Sequence, residues 1–109
     1  MHLQRDVYYR AQHVTGPKAV LVSLKFGVSP AAGPLIVRRI AMDRSDSTVK
    51  FDLEGYTREV LAGVARANGE LNGSLQVEQI EIVPDDYPGK GQVEHVSYQI
   101  ASAVLRGAI

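Results

Sequence analysis

The sequence has no cysteine and no tryptophan, and only 6% of its 109 residues are aromatic. Without cysteine there is no disulfide, no thiolate nucleophile and no thiolate-bound zinc. Net charge is absent too, because twelve Lys and Arg balance twelve Asp and Glu. A polycation that coats nucleic acid with its whole surface is thereby excluded. No apolar run approaches the roughly 18–20 residues that span a bilayer. Met1-His2-Leu3-Gln4-Arg5-Asp6 lacks the apolar stretch of a secretory signal, so the expected location is cytoplasmic. No G-x-x-x-x-G-K-[ST] phosphate loop occurs, and with it goes the usual nucleotide-hydrolysing engine.

What is present is ordinary globular composition: 45% hydrophobic, 22% charged, ten Gly and five Pro. There is no repeat, linker or low-complexity tract. One domain over residues 1–109 is expected. Its charge is uneven. Residues 1–55 hold eight basic and five acidic groups, and residues 56–109 hold four and seven. Two readings fit: two solvated faces of opposite sign, or a basic sheet edge that meets an anionic partner.

Turn signals at Thr15-Gly16-Pro17, Ser29–Pro34, Asp43–Ser47, Asn68–Gly73 and Pro84–Gly91 divide the chain. Arg5–Val14 reads as a strand through Val7, Tyr8 and Tyr9. Ala19–Val28 alternates cleanly, with Val20, Val22, Leu24 and Phe26 on one face. Leu35–Met42 and the short Thr48–Asp52 follow, the register of 35–42 staying open because one phase turns Arg38 inward. Tyr56, Val60, Leu61, Val64, Ala65 and Asn68 recur at helical spacing, with Asp52 as N-cap and Gly69 suited to the left-handed end. Leu75–Val83 is a strand whose phase changes from Leu75 and Val77 to Ile80 and Ile82; a bulge near Glu78-Gln79 explains the change. Val93–Gly107 is a second amphipathic helix.

The order β-β-β-(β)-α-β-α predicts an α+β two-layer sandwich, a four- to five-stranded mixed sheet with two helices on one face. The other face is left uncovered, and Leu21, Leu35 and Val37 are assigned to it. An open sheet face with large apolar groups is a candidate for docking or for a homodimer.

Five segments in order resemble domain IV of translation elongation factor G, which also occurs in the ribosome-protecting tetracycline-resistance proteins. Val7-Tyr8-Tyr9-Arg10-Ala11-Gln12 is similar to that family's V-x-Y-R-E-T, and Val20-Leu21-Val22-Ser23-Leu24 occupies its second strand. Tyr56–Asn68 resembles E-Y-I-P-A-V-x-x-G-I, with Gly63 on the helix glycine. Gly69-Glu70-Leu71-Asn72-Gly73 is similar to G-P-L-x-G, and Val96–Val104 to L-A-F-K-L-A-A-S-I. The resemblance implies a left-handed βαβ crossover, against the general rule. It also implies a translation-related role in contact with the ribosome. The departures are specific. The family's G-G-R-G-Q-Y-G tip loop is reduced to Thr15-Gly16-Pro17-Lys18, and its D-V-D-S-S is replaced by Gly91-Gln92-Val93-Glu94-His95. The chain thus resembles the scaffold without its motor and without its tip.

The chemistry-bearing residues are sparse. His95, beside Glu94 and near Asp85 and Asp86, has the composition of a general base or metal ligand, but adjacent helix positions face apart. His2 and His13 are remote in sequence, and a solvated first-turn histidine is the simpler reading. Pro84–Gly91 is a shaped loop whose Gly89-Lys90-Gly91 offers N–H groups and an ammonium to an anion; it also reads as a plain connection. Arg38 and Arg39 alternate across a strand. Together with Lys18, Lys25, Arg44, Lys50 and Lys90 they make a scattered basic set suited to an RNA backbone. Only Phe26 and Phe51 interleave with it, too few for a stacking platform. Ser23, Ser97 and Ser102 lack a paired His-Asp motif. The sequence therefore points to a non-catalytic binding module for ribosome or RNA, with no cofactor, metal or small-molecule substrate. The alternative is a self-associating or protein-docking domain that uses the open sheet face, with no nucleic acid.

Overall fold

A computed structural model describes residues 8–16, 18–27, 35–38, 51–83 and 88–107. The elements are β1 (Tyr9–Thr15), β2 (Lys18–Gly27), β3 (Leu35–Arg38), α1 (Leu53–Leu71), β4 (Gln76–Ile82) and α2 (Gln92–Leu105). The expected α+β architecture of an open sheet and two helices is what the chain adopts. Strand order across the sheet is β1-β2-β4-β3. β1, β2 and β4 are antiparallel neighbours, and β3 lies parallel beside β4. Arg5–Val7, Val28 and Arg39–Met42 of the expected strands lie outside the described residues. So does Thr48–Lys50 of the expected short strand, while Phe51 and Asp52 lead into α1 without strand structure.

The core follows from the alternation of β2. Val20, Val22, Leu24 and Phe26 are buried, and they share one cluster with Val77, Ile80 and Ile82 of β4. Tyr56, Val60, Val64 and Ala67 of α1 close it, together with Val93, Val96, Ile100, Ala101 and Val104 of α2. Each buried Val, Leu, Ile or Phe among them contributes about 1.5–3 kcal/mol of transfer free energy, set against the entropy of ordering it. The expected bulge is present: Lys25 pairs with Gln79 and Phe26 with Val77, so Glu78 has no partner in the ladder. That one extra residue lets Val77 and Ile80 both reach the core.

The end of α1 differs from the expectation. The helix runs past Gly69 to Leu71, and Asn72 takes the left-handed conformation, φ +55°. The Asn68 carbonyl accepts from the N–H groups of Asn72 and Gly73. The Asn68 carboxamide brackets the Leu75 backbone, donating to its C=O at 3.1 Å and accepting from its N–H at 3.0 Å. Asparagine tolerates this backbone region better than most residues, and the bracket fixes the exit into β4. No helix among the described residues is long and apolar enough to cross a membrane.

The face away from the helices is laced by polar side chains. Arg10 and Glu81 both stand opposite Ser23 in the register, and their ion pair, at 3.0 Å, bridges β1 and β4 across it. Ser23 is buried as a result. The Tyr8 hydroxyl donates to Gln79, the Arg10 guanidinium stacks on the Tyr8 ring, and Lys25 pairs with Glu78 at 3.6 Å. Burial first, and then the Glu81 carboxylate, raise the Tyr8 phenol above its ordinary value. The native state then keeps that proton beyond the pH at which the unfolded chain loses it. The Tyr8 contribution is complete below about pH 10 and is lost as pH rises through the raised value. Urea midpoints taken across about pH 9 to 11 should fall, and Tyr8→Phe should flatten the fall. An unchanged slope in Tyr8→Phe counts against this assignment.

Candidate functional site

Two stretches distant in sequence meet at one end of the sandwich. The β1–β2 hairpin turns between Thr15 and Lys18, which face each other in the ladder. The segment before α2 turns at Gly91, whose φ of +81° favours glycine. A Cβ built on Gly89 would sit 3.4 Å from Lys18 Cγ, which measures how closely the two approach. Between them is a cleft of about 310 Å³, lined by His13, Lys18, Gly89, Lys90, Gly91, Gln92 and His95. The His13 and His95 rings stand edge to face, with centroids 5.5 Å apart.

One glutamine joins the two stretches. Gln92 Oε1 accepts from the Gly89 N–H at 2.8 Å. Its Nε2 lies 2.8 Å from His13 Nδ1, 3.2 Å from the His13 carbonyl and 3.4 Å from the Lys18 carbonyl. Charge is sorted across the start of α2. Glu59 of α1 caps it, accepting from the N–H groups of Gly91 at 3.3 Å and Glu94 at 3.1 Å. Glu94 pairs with Arg66 at 3.6 Å. Both carboxylates line a separate hollow with Gly55, Arg58 and Ala62. Among the described residues, those lining the cleft include Lys18, Lys90, His13 and His95 and no Asp or Glu.

This arrangement alters several sequence-level readings. Glu94 and His95 form no acid–base pair: the carboxylate goes to Arg66 and the ring goes to His13. The N–H groups of Gly89 and Gly91 are taken by Gln92 and Glu59, so an anion there would meet side chains and not that backbone. Ser23, Ser97 and Ser102 are buried, and their hydroxyls have no hydrogen-bond partner among the described residues. They are packing residues in this fold. Among the described residues no three His, Asp or Glu side chains gather as a metal site would need. A metal-bound imidazole normally donates its other N–H, whereas His13 accepts at Nδ1 from an amide that can only donate.

Of the basic set, Lys18 and Lys90 are brought together. Lys25 lies seven residues along β2, about 23 Å at 3.3 Å per residue, and is paired with Glu78. Arg38 ends β3 on the far edge of the sheet, opposite Ile82. Arg39, Arg44 and Lys50 lie outside the described residues. Of the residues assigned to the open face, Leu21 is half-buried on β2 opposite Gln12, and Leu35 and Val37 take register positions beside Gln79 and Glu81. His13, Gln92 and the pairing of His13 with His95 were not legible as a site. Gln92 did carry one signal, since it falls four residues before Val96 on the buried stripe of α2.

Comparisons with protein-family models, with curated proteins and with solved structures give no match to this chain.

Proposed function

We propose that this chain is a non-catalytic binding module related to domain IV of elongation factor G, and that it contacts RNA, on the ribosome or free, through the end of the sandwich where Lys18 and Lys90 meet. The observation that carries the reading is the sorting of charge at the start of α2. Both carboxylates there are turned to the α1 side, while Lys18, Lys90, His13 and His95 are among the residues lining the cleft. A surface of that kind attracts a phosphate backbone even on a chain with no net charge. The resemblance adds that the hairpin turn and the segment before the last helix are the two loops that form the family's tip. With it come the finer features of the family's fold, a fourth or fifth strand and a left-handed β3–α1–β4 crossover. The parallel pairing of β3 with β4 supports a crossover through α1, and its left hand rests on the resemblance alone.

Co-sedimentation with ribosomal subunits, and binding to a structured RNA, test the reading. Affinity should fall steeply between low and near-physiological salt, with a log–log slope of roughly one per phosphate contact. Absence of binding at both salts would set the RNA reading aside. The alternative, self-association through the open sheet face, is carried by no observation of comparable weight. That face is spanned by the Arg10–Glu81 and Lys25–Glu78 pairs and the Tyr8–Gln79 bond.

A further inference from the structure

We propose that the outer edge of β1 pairs with a second copy of this chain, Tyr9–Thr15 lying antiparallel to the same strand of that copy with Gln12 on the two-fold axis. The proposal is independent of the RNA reading above. β1 ends the sheet, and no strand among the described residues pairs with its outer side. It pairs with β2 from Tyr9 to Thr15 without a break in register, so the edge carries no bulge. It carries no proline and no lysine either. Those are devices by which edge strands ordinarily prevent pairing. Which backbone groups point outward follows from Gln92. Its Nε2 reaches both the His13 carbonyl, at 3.2 Å, and the Lys18 carbonyl of β2, at 3.4 Å. The His13 carbonyl is therefore on the β2 side of its strand. Ladder groups alternate from there, so the N–H and C=O groups of Arg10, Gln12 and Val14 are directed away from β2. The side chains of these three residues are exposed, that of Val14 at 61%.

The same three residues select the occupant. In an antiparallel pair centred on Gln12, Gln12 faces Gln12 of the second copy and Arg10 faces Val14 of the second copy. The outward N–H and C=O groups of one edge then meet those of the other. The one charged side chain of β1 lies against an apolar one that its aliphatic stem can cover, and its guanidinium keeps Glu81. A pair centred on Arg10 would set two guanidiniums opposite each other, which is destabilising. A pair centred on Val14 would run past the turn at Gly16. The edge is thus complementary to itself in one register, and pairing continues the sheet across the axis.

Sedimentation equilibrium of the full chain at rising concentration should show monomer passing to dimer. Gln12→Pro should abolish the dimer, because it removes the N–H at the axis. An edge position whose N–H points outward tolerates proline, so the circular dichroism should stay native. Val14→Lys, opposite Arg10, should weaken the dimer by about tenfold through two copies of a like-charge pair, and Val14→Glu should tighten it. The chain has no cysteine, so a single Gln12→Cys reads the register even if the proline variant fails to fold. The two Cα atoms at the axis would stand about 5.5 Å apart, within the span of a disulfide, and mild oxidation should cross-link them. Arg10→Cys, whose two copies would lie about 13 Å apart along the ladder, should not cross-link. A chain that is monomeric at every concentration overturns the proposal, and an extended peptide of another protein is then the remaining occupant to test. A dimer that survives Gln12→Pro, or that cross-links as well through Arg10→Cys as through Gln12→Cys, also overturns it and returns self-association to the open face.

Discussion

Gly63→Ala is expected to lower the free energy of unfolding by about 3 kcal/mol, at the upper end of what overpacking normally costs. A methyl group at Gly63 would lie 2.4 Å from the Glu94 carbonyl oxygen, 2.8 Å from the Tyr98 nitrogen and 3.0 Å from Ser97 Cβ. The first two are backbone atoms of α2 and cannot swing aside. The helices would have to separate, and the core that they close against the sheet holds Val60, Val64, Ala67, Val96 and Ala101. For a domain whose total stability is of the order of 5–15 kcal/mol, that loss is large. Gly69→Ala is the control on the same helix. Nothing lies within 4 Å of its added methyl, and alanine favours a helix interior by up to about 1 kcal/mol over glycine. Urea unfolding followed by circular dichroism should move the two variants in opposite directions. A neutral Gly63→Ala would mean that α1 and α2 do not approach this closely.

The same glycine shows what kind of information a sequence holds about this fold. The apolar stripe of α2 and the alternation of β2 are repetitive signals, and each is satisfied by one buried face. The stripe expected for α1 holds at Tyr56, Val60 and Val64, but Leu61 and Ala65, assigned to it, are exposed, and Gly63 and Ala67 are buried instead. The bulge was legible because a phase change in Leu75–Ile82 has few other causes, and Glu78 is the residue that supplies it. The end of α1 was misread for a definite reason. Gly69 and Asn72 both suit a left-handed cap, and local preference cannot choose between them. The choice is made at a distance, by Asn68 reaching across to Leu75 and holding the chain three residues further on. Gly63 itself was marked only by resemblance. The physical need for it is the approach of α2, and no periodicity within α1 carries that.

The candidate site was less legible than the fold because its parts are joined through strand pairing and helix docking. His13 and His95 are 82 positions apart in the sequence, yet their rings touch. The basic set chosen by residue type had no means of sorting Lys18 and Lys90 from Lys25, which the open face pairs with Glu78. Residue type alone also favoured the N–H groups of Gly89 and Gly91 as anion donors. The fold spends those groups on Gln92 and Glu59. What it leaves at that end is side-chain charge.

Reversing both charges, Lys18→Glu with Lys90→Glu, should therefore weaken binding to RNA or ribosomal subunits by about 100-fold or more at low salt. Replacing both by alanine should cost less and should reduce the log–log salt slope by about two, one for each lost phosphate contact. Lys25→Glu is the internal comparison. It carries the same charge change but sits about 23 Å from Lys18 along β2, beside Glu78. Long-range attraction over that distance exceeds the Debye length of about 8 Å at physiological salt, so Lys25→Glu should matter little there. Its cost should instead appear as stability, because it sets a second carboxylate against Glu78. Circular dichroism melts would separate the two effects. If all three lysines weaken binding equally, RNA is held by diffuse charge and the cleft has no special part in it. If only the cleft pair matters, the end of the sandwich where the hairpin meets α2 is the surface that makes contact.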